Sequence, residues 1–133
     1  MSTRSRRLLA AAAAVVVAAI VLAQEAATPS PYHHPRSAGA LALMAVLAAL
    51  VLAVVPRIRS TVAALGGGIA AGGAIAMLVS GLVWQAGVPD PLVGGDYAFN
   101  LADVALVLGD VTFLVAAVVY GWENRHALRR PVQ

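Results

Sequence analysis

Four long runs of apolar residues, separated by connections rich in proline and glycine, constrain this chain more than any other feature. The runs span residues 8–23, 38–55, 62–83 and 99–120. A hydrocarbon core about 30 Å thick needs about 20 helical residues, within a range of about 17–25. Backbone groups in lipid must pair within the protein, and the runs lack the alternation of barrel strands. The sequence therefore predicts an all-α fold, a four-transmembrane-helix bundle forming a single integral membrane domain over residues 1–133.

The composition favours lipid as the main solvent of this chain. Apolar residues make up 61% of it, and charged residues only 11%, less than half of the usual ~25%. There is no cysteine, so a disulfide framework and a thiolate metal site are excluded, and we predict neither a metal nor a cofactor. The net charge of +3 does not indicate nucleic acid, because the arginines lie beside the apolar runs. The partner that the sequence predicts is the lipid bilayer.

Glycines mark one face of the third run. Gly68 and Gly72 form a small-xxx-small pair, which lets helix backbones approach closely in lipid. Packing inside one bundle explains this pair more simply than a dedicated dimer motif, so we expect a monomer.

The arginines predict an orientation. With four spans, eight of the nine basic residues lie on one side, and only Arg36 lies in a connection on the other. The positive-inside rule then places both termini in the cytoplasm and the two longer loops outside. One alternative stays open, because the first run with its arginines also resembles a cleavable secretory signal. The eight arginines are Arg4, Arg6, Arg7, Arg57, Arg59, Arg125, Arg129 and Arg130.

Acidic residues within the apolar runs indicate a functional site, because a charge at the centre of a membrane helix costs about 2.5–3.5 kcal/mol and is rarely kept without a function. Asp103 and Asp110 are seven residues apart and share a helix face with Asn100, a face that we expect to point into the bundle. Asp90 lies 13 residues before Asp103, and a loop of that length can bring the two together. Two close carboxylates share a proton and can activate water for amide hydrolysis. Intramembrane acids also serve proton or ion paths, so a small ion-coupled subunit using Asp103 and Asp110 stays open.

Three polar residues of the outer loops have simpler interpretations. His33 and His34 have no third ligand nearby, so solvated loop residues are predicted rather than a metal site. Asp96 lies beside a glycine and is predicted to be a turn residue rather than a partner of Asp103.

Motifs between residues 72 and 109 resemble those of lipoprotein signal peptidase (signal peptidase II). Phe99–Asp103 matches FN-x-AD and is followed by an apolar helix with a glycine. Gly87–Asp90 is similar to the segment that ends in V-x-D, and Gly72–Ile75 to the GGA(L/I) start of a conserved box. Ser37–Ala40 corresponds loosely to the N-x-GA box.

The resemblance implies a multi-pass aspartic endopeptidase of the bacterial inner (plasma) membrane. Its catalytic pair maps onto Asp90 and Asp103, and a supporting asparagine maps onto Asn100. The implied substrate is a prolipoprotein whose lipid-modified cysteine follows the signal peptide that is removed. Arg36 and Gly39 are the candidate contacts to substrate or lipid.

The chain departs from this family at several polar positions. Met77, Ser80 and Gly81 stand where the family has asparagine, aspartate and arginine, and Gln24 and Glu25 replace an aspartate and a lysine. The alternative function is therefore a catalytically impaired member that binds hydrophobic or lipidated segments, or a membrane partner, without cleavage.

Overall fold

The computed structural model describes residues 1–128, in which four long helices dominate. They are α1 (Thr3–Ala27), α2 (Ala38–Val54), α3 (Thr61–Val83) and α4 (Leu101–Glu123). A 3-10 turn, Val55–Arg57, follows α2, and a single turn, α5 (Arg125–Leu128), follows α4. The connections also contain two antiparallel strand pairs that an all-α fold does not predict: β1 (His33–His34) with β2 (Val88–Pro89), and β3 (Leu92–Gly94) with β4 (Tyr97–Phe99). The predicted anchors Arg129 and Arg130 lie outside the described residues.

Three of the helices, α1, α3 and α4, are long and apolar enough to cross a membrane. The fourth, α2, is equally apolar but has 17 residues. At about 1.5 Å per residue it rises about 25 Å, near the lower limit for a span. The predicted membrane character of the chain is therefore confirmed in its helices, and a shorter apolar helix packs beside the three long ones.

Serine side chains fix where the first three helices begin. Each hydroxyl accepts a hydrogen bond from a backbone N–H three residues later, which satisfies one of the amides that a helix start leaves unpaired. As a result α1 begins five residues before its apolar run and includes the basic residues of the N-terminus. The capping pairs are Ser2–Ser5, Ser37–Ala40 and Ser60–Ala63, at 3.1, 3.2 and 3.1 Å.

The start of α4 corrects the predicted boundary. Phe99 belongs to β4 rather than to the helix, and Asn100 is the N-cap with an extended backbone. The helix proper therefore begins at Leu101. The capping side chain of Asn100 sets the first residue of α4, although the apolar run in the sequence extends back to Phe99.

Glycines bring α3 against the backbone of α1. A Cβ atom on Gly68 would lie 2.5 Å from the carbonyl oxygen of Ala10, and one on Gly72 would lie 2.7 Å from that of Ala14. The predicted packing role of these two glycines within the bundle is confirmed. The residue numbers of the two contacts increase in the same direction along both helices, so α1 and α3 run parallel.

The same kind of contact places α4 against α3. A Cβ on Gly73 would lie 2.8 Å from the Ala102 carbonyl oxygen, and one on Gly109 would lie 2.3 Å from the Ala70 nitrogen. These contacts advance in opposite directions, so α4 is antiparallel to α3. The helix α2 is antiparallel as well, since Gly67 lies against Val55 and Gly81 against Leu41.

The predicted inward face of α4 is wrong for Asp110. The buried line of this helix runs through Ala102, Gly109 and Ala116, which are seven residues apart. Asp103 and Asp110 each follow that line by one residue, which turns them by about 100°. Asp103 is half-buried, whereas Asp110 is exposed at the edge of a hollow of about 90 Å³ between α2, α3 and α4.

Gly109→Ala tests the contact between α3 and α4. We expect it to lower the free energy of unfolding by about 1–3 kcal/mol, because the added methyl group overpacks the contact with Ala70. Gly121→Ala is the matched control in the same helix, since a Cβ there meets no described atom within 4 Å. Denaturation in detergent micelles, followed by far-UV circular dichroism, compares the two. Equal stability of both variants would contradict the close contact.

Candidate functional site

A buried polar network joins three helices at the end of the bundle where α1 and α3 finish and α4 begins. Glu25 lies in the last turns of α1 and is 3% exposed, and Ser80 of α3 and Asn100 are fully buried. The hydroxyl of Ser80 donates to Oε2 of Glu25, and Nδ2 of Asn100 lies 3.5 Å from Oε1. Trp84 and Glu25 line the same small cavity. A buried carboxylate needs such donors, because an unpaired one carries a large desolvation cost.

Asn100 holds Asp103 in a reciprocal capping box. Oδ1 of Asn100 accepts from the Asp103 backbone N–H at 3.0 Å, and Oδ2 of Asp103 accepts from the Asn100 N–H at 3.1 Å. The predicted position of Asn100 one turn earlier on the same helix face is thus corrected to an N-cap. Its side-chain amide also reaches the connection that carries Asp90, since Nδ2 donates to the Pro89 carbonyl oxygen at 3.4 Å.

Asp90 is 1% exposed and is held by the connection between α1 and α2. Its backbone N–H donates to the Tyr32 carbonyl oxygen at 3.0 Å, and its own carbonyl accepts from the Ser30 hydroxyl at 2.8 Å. Oδ2 of Asp90 pairs with Nδ1 of His34. The other carboxylate oxygen, Oδ1, is buried and has no hydrogen-bond partner within residues 1–128.

The connection between Asp90 and Asp103 folds back on itself. The strands β3 and β4 pair Leu92 with Phe99, and the contact of Asn100 with the Pro89 carbonyl closes the loop. Both acids are thereby brought to one end of the bundle. Within residues 1–128 no hydrogen bond joins the two carboxylates. Oδ2 of Asp90 instead pairs with His34, and Oδ2 of Asp103 accepts from the Asn100 N–H. Asn100, which caps α4 together with Asp103, also lies beside the carboxylate of Glu25, so Glu25 is a third acid at this end of the bundle.

The other candidate residues lie outside this cluster. Arg36 is half-buried, and its Nε has no hydrogen-bond partner in the part of the chain that is described. Gly39 is exposed in the first turn of α2. Asp96 occupies the exposed turn between β3 and β4, as predicted. Over residues 1–128, no group of three or more histidine or acidic side chains is arranged to hold a metal ion.

Sequence reasoning missed three residues that the structure places at the site: Glu25, Ser80 and His34. His34 is exposed, as a loop residue should be, but it is paired with Asp90 rather than only solvated. Ser80 carried one usable signal, since a polar side chain within an apolar run needs a partner. That partner, Glu25, lies 55 residues away, and no local pattern connects the two.

Hollows surround the acid cluster. One of about 300 Å³ lies beside Glu25 and Trp84. Another, of about 310 Å³, lies beside Asp103 and is otherwise lined by the apolar side chains of Phe99, Val104, Val107 and Leu108. A larger hollow of about 580 Å³ lies towards the opposite end of α3 and α4, between Arg59 and Tyr120. Glu25 and Asp103 therefore each border a cavity, and the one beside Asp103 is lined by apolar side chains apart from the acid itself.

No protein-family model matches the chain, and neither a curated protein nor a solved structure shows significant similarity to it. The candidate site rests on its own geometry: three acids, an N-cap that orders one of them and a histidine that pairs with another.

Ser80→Ala tests the buried network. Loss of the hydroxyl leaves the Glu25 carboxylate short of a donor, so we expect the free energy of unfolding to fall by about 1–3 kcal/mol. Ser5→Ala, in the exposed first turn of α1, is the control and should change it by less than about 0.5 kcal/mol.

The same substitution in a Glu25→Leu background sharpens this test. There the buried carboxylate is gone, so Ser80→Ala should cost less than in the wild type. Denaturant titrations of the detergent-solubilised proteins measure the loss of unfolding free energy caused by Ser80→Ala in each background. An equal loss in the two backgrounds would show that Ser80 does not act through Glu25.

Proposed function

We propose that this chain is a membrane-embedded aspartic endopeptidase of the signal peptidase II type. Its substrate in this proposal is a lipid-modified prolipoprotein in the bacterial inner (plasma) membrane, from which it removes the signal peptide as a monomer. The observation that carries the proposal is the position of Asp90. It is buried at the same end of the bundle as Asp103, with one carboxylate oxygen that no group within residues 1–128 engages.

The chemistry needs one ionised and one protonated carboxyl group. Two carboxyl groups at one end of the bundle meet this need when one of them keeps its proton, because like charges at short range disfavour double ionisation. The ionised member removes a proton from water, which attacks the peptide carbonyl. The protonated member polarises that carbonyl and then gives its proton to the leaving amine. We assign the unpartnered Oδ1 of Asp90 to the water, and Asp103, held by Asn100, to the carbonyl.

The surroundings of Asp103 suit a substrate that arrives from lipid. The recess beside it is lined by apolar side chains, and Val107 and Leu108 are exposed on the outer surface of α4. An apolar segment of a signal peptide can lie there without a desolvation cost. The polar loops beside this recess give solvent water access to the acids, and hydrolysis consumes that water.

The proposal includes four spans with both termini in the cytoplasm and the acid cluster outside. The alternating helix directions support this topology, with α1 and α3 parallel and α2 and α4 antiparallel to them. The described arginines in the first turns of α1 and between α2 and α3, and Arg125 after α4, lie at the end opposite the acids, where the positive-inside rule expects them. Arg36 lies at the acidic end.

A binding protein that does not cleave is the second candidate. Its support comes from three positions where the resembled family carries polar groups. Met77 is buried in the apolar core, Ser80 is engaged by Glu25, and Gly81 lies against Leu41. None of the three offers a charged group to a substrate, and this lack favours binding without cleavage.

Asp90→Asn and Asp103→Asn distinguish the two candidates. Each amide keeps a side-chain oxygen that can accept the hydrogen bond seen in the structure, so the fold and the α4 cap are retained while the acid chemistry is lost. We expect either variant to reduce cleavage at least about 100-fold. The assay is maturation of a lipoprotein in a bacterial host that lacks its own signal peptidase II.

Asp96→Asn and Asp110→Asn are the controls, and both should leave maturation intact. Processing that survives both Asp90→Asn and Asp103→Asn would rule out the proposed mechanism. Absence of processing by the wild type, together with binding of the prolipoprotein, would favour the binding protein. Loss of function in Asp110→Asn with a harmless Asp90→Asn would favour the ion-coupled alternative.

A further inference from the structure

The pair between His34 and Asp90 joins an exposed side chain to a buried one. The imidazole is 56% exposed, whereas the carboxylate that it contacts is 2% exposed. The two residues are 56 positions apart and belong to different outer loops. The imidazole therefore covers Asp90 from the solvent side and contacts only its Oδ2.

Backbone contacts place His34 independently of this pair. His34 is opposite Val88 in the β1–β2 strand pair, and the Asp90 N–H continues the pairing to the Tyr32 carbonyl. The close approach requires glycine at position 87, whose φ is +104°. A Cβ there would lie 2.6 Å from the carbonyl carbon of His34. Two loops that are fixed in this way hold the histidine and the aspartate in register before any side-chain bond forms.

The pair leaves the two oxygens of Asp90 in different states. Oδ2 is bound by the ring nitrogen, whereas Oδ1 is buried without a partner in the described residues. A carboxylate bonded through one oxygen cannot rotate freely, so the other oxygen keeps a fixed direction. Displacements of about 1 Å at a reacting group can cost about 100-fold in rate, so this restraint matters for catalysis.

We propose that His34 is a positioning residue that holds Asp90 through Oδ2 and so directs Oδ1 towards the reacting water. This inference rests on the proposed function, since it assigns His34 a role in the same site. The competing explanation is a structural tie between two loops. A tie of that kind affects stability but leaves the turnover of folded protein unchanged.

The experiment uses the full chain in detergent micelles or liposomes and a fluorescent peptide with a diacylglycerol-modified cysteine. His34→Ala should lower kcat by about tenfold or more and change KM by less than about twofold, because the acid is misplaced but the substrate recess remains. His34→Asn should recover most of kcat, since its amide N–H can donate from nearly the same position as Nδ1. His33→Ala, one residue earlier in the same strand, is the control and should behave like the wild type.

Thermal unfolding of every variant gives the folded fraction, to which each kcat is normalised. A normalised kcat of His34→Ala equal to the wild-type value would overturn the inference and leave the proposed function standing. Equally slow His34→Asn and His34→Ala variants would overturn it too, because a restored donor would then have no effect. A wild type that does not cleave the peptide would fail the proposed function itself, and His34 would then have no catalytic acid to position.

Discussion

The close approach of α3 to its three neighbours is the constraint on which the rest of this structure depends. Lipid offers no hydrophobic driving force between helices, so contacts between small residues and shared hydrogen bonds must hold them together. Glycines of α3 lie against backbone atoms of α1 and α4, and Gly109 of α4 returns the contact. This proximity brings the helix ends close enough for Glu25, Ser80 and Asn100 to meet.

The polar network and the acids Asp90 and Asp103 lie at the same end of the bundle and share contacts. Asn100 links them, because it caps α4 through Asp103 while its amide faces Glu25 and the Pro89 carbonyl. A polar group at this position is expensive unless every neighbour is satisfied. Among the acids of this cluster, Asp90 has a buried carboxylate oxygen without a hydrogen-bond partner in residues 1–128, and this points to a function because buried polar atoms normally find partners.

Much of the fold was predictable because membrane thickness forces a simple pattern on the sequence. The predicted α2 and α3 agree with the structure to within one residue at each end. The start of α4 was misjudged because Asn100 lies in an apolar stretch, although its spacing to Asp103 fits a capping box. The partners of Glu25 and Asp90 were beyond sequence reasoning, since they lie 55 and 56 residues away and the strand pair β1–β2 has only two residues a side.

The central position of α3 also bears on how such a chain can evolve. Within the most apolar stretch of α3, 67% of the residues are buried inside the protein, against 17% in the corresponding stretch of α4. Outward-facing positions of α4 and α1 need only stay apolar, so valine, leucine and alanine can replace one another there with little effect. Positions in α3 that meet a backbone must keep their small size. Sequence identity between descendants of one ancestor should therefore decay quickly in the outer helices and persist in α3 and the acidic loops.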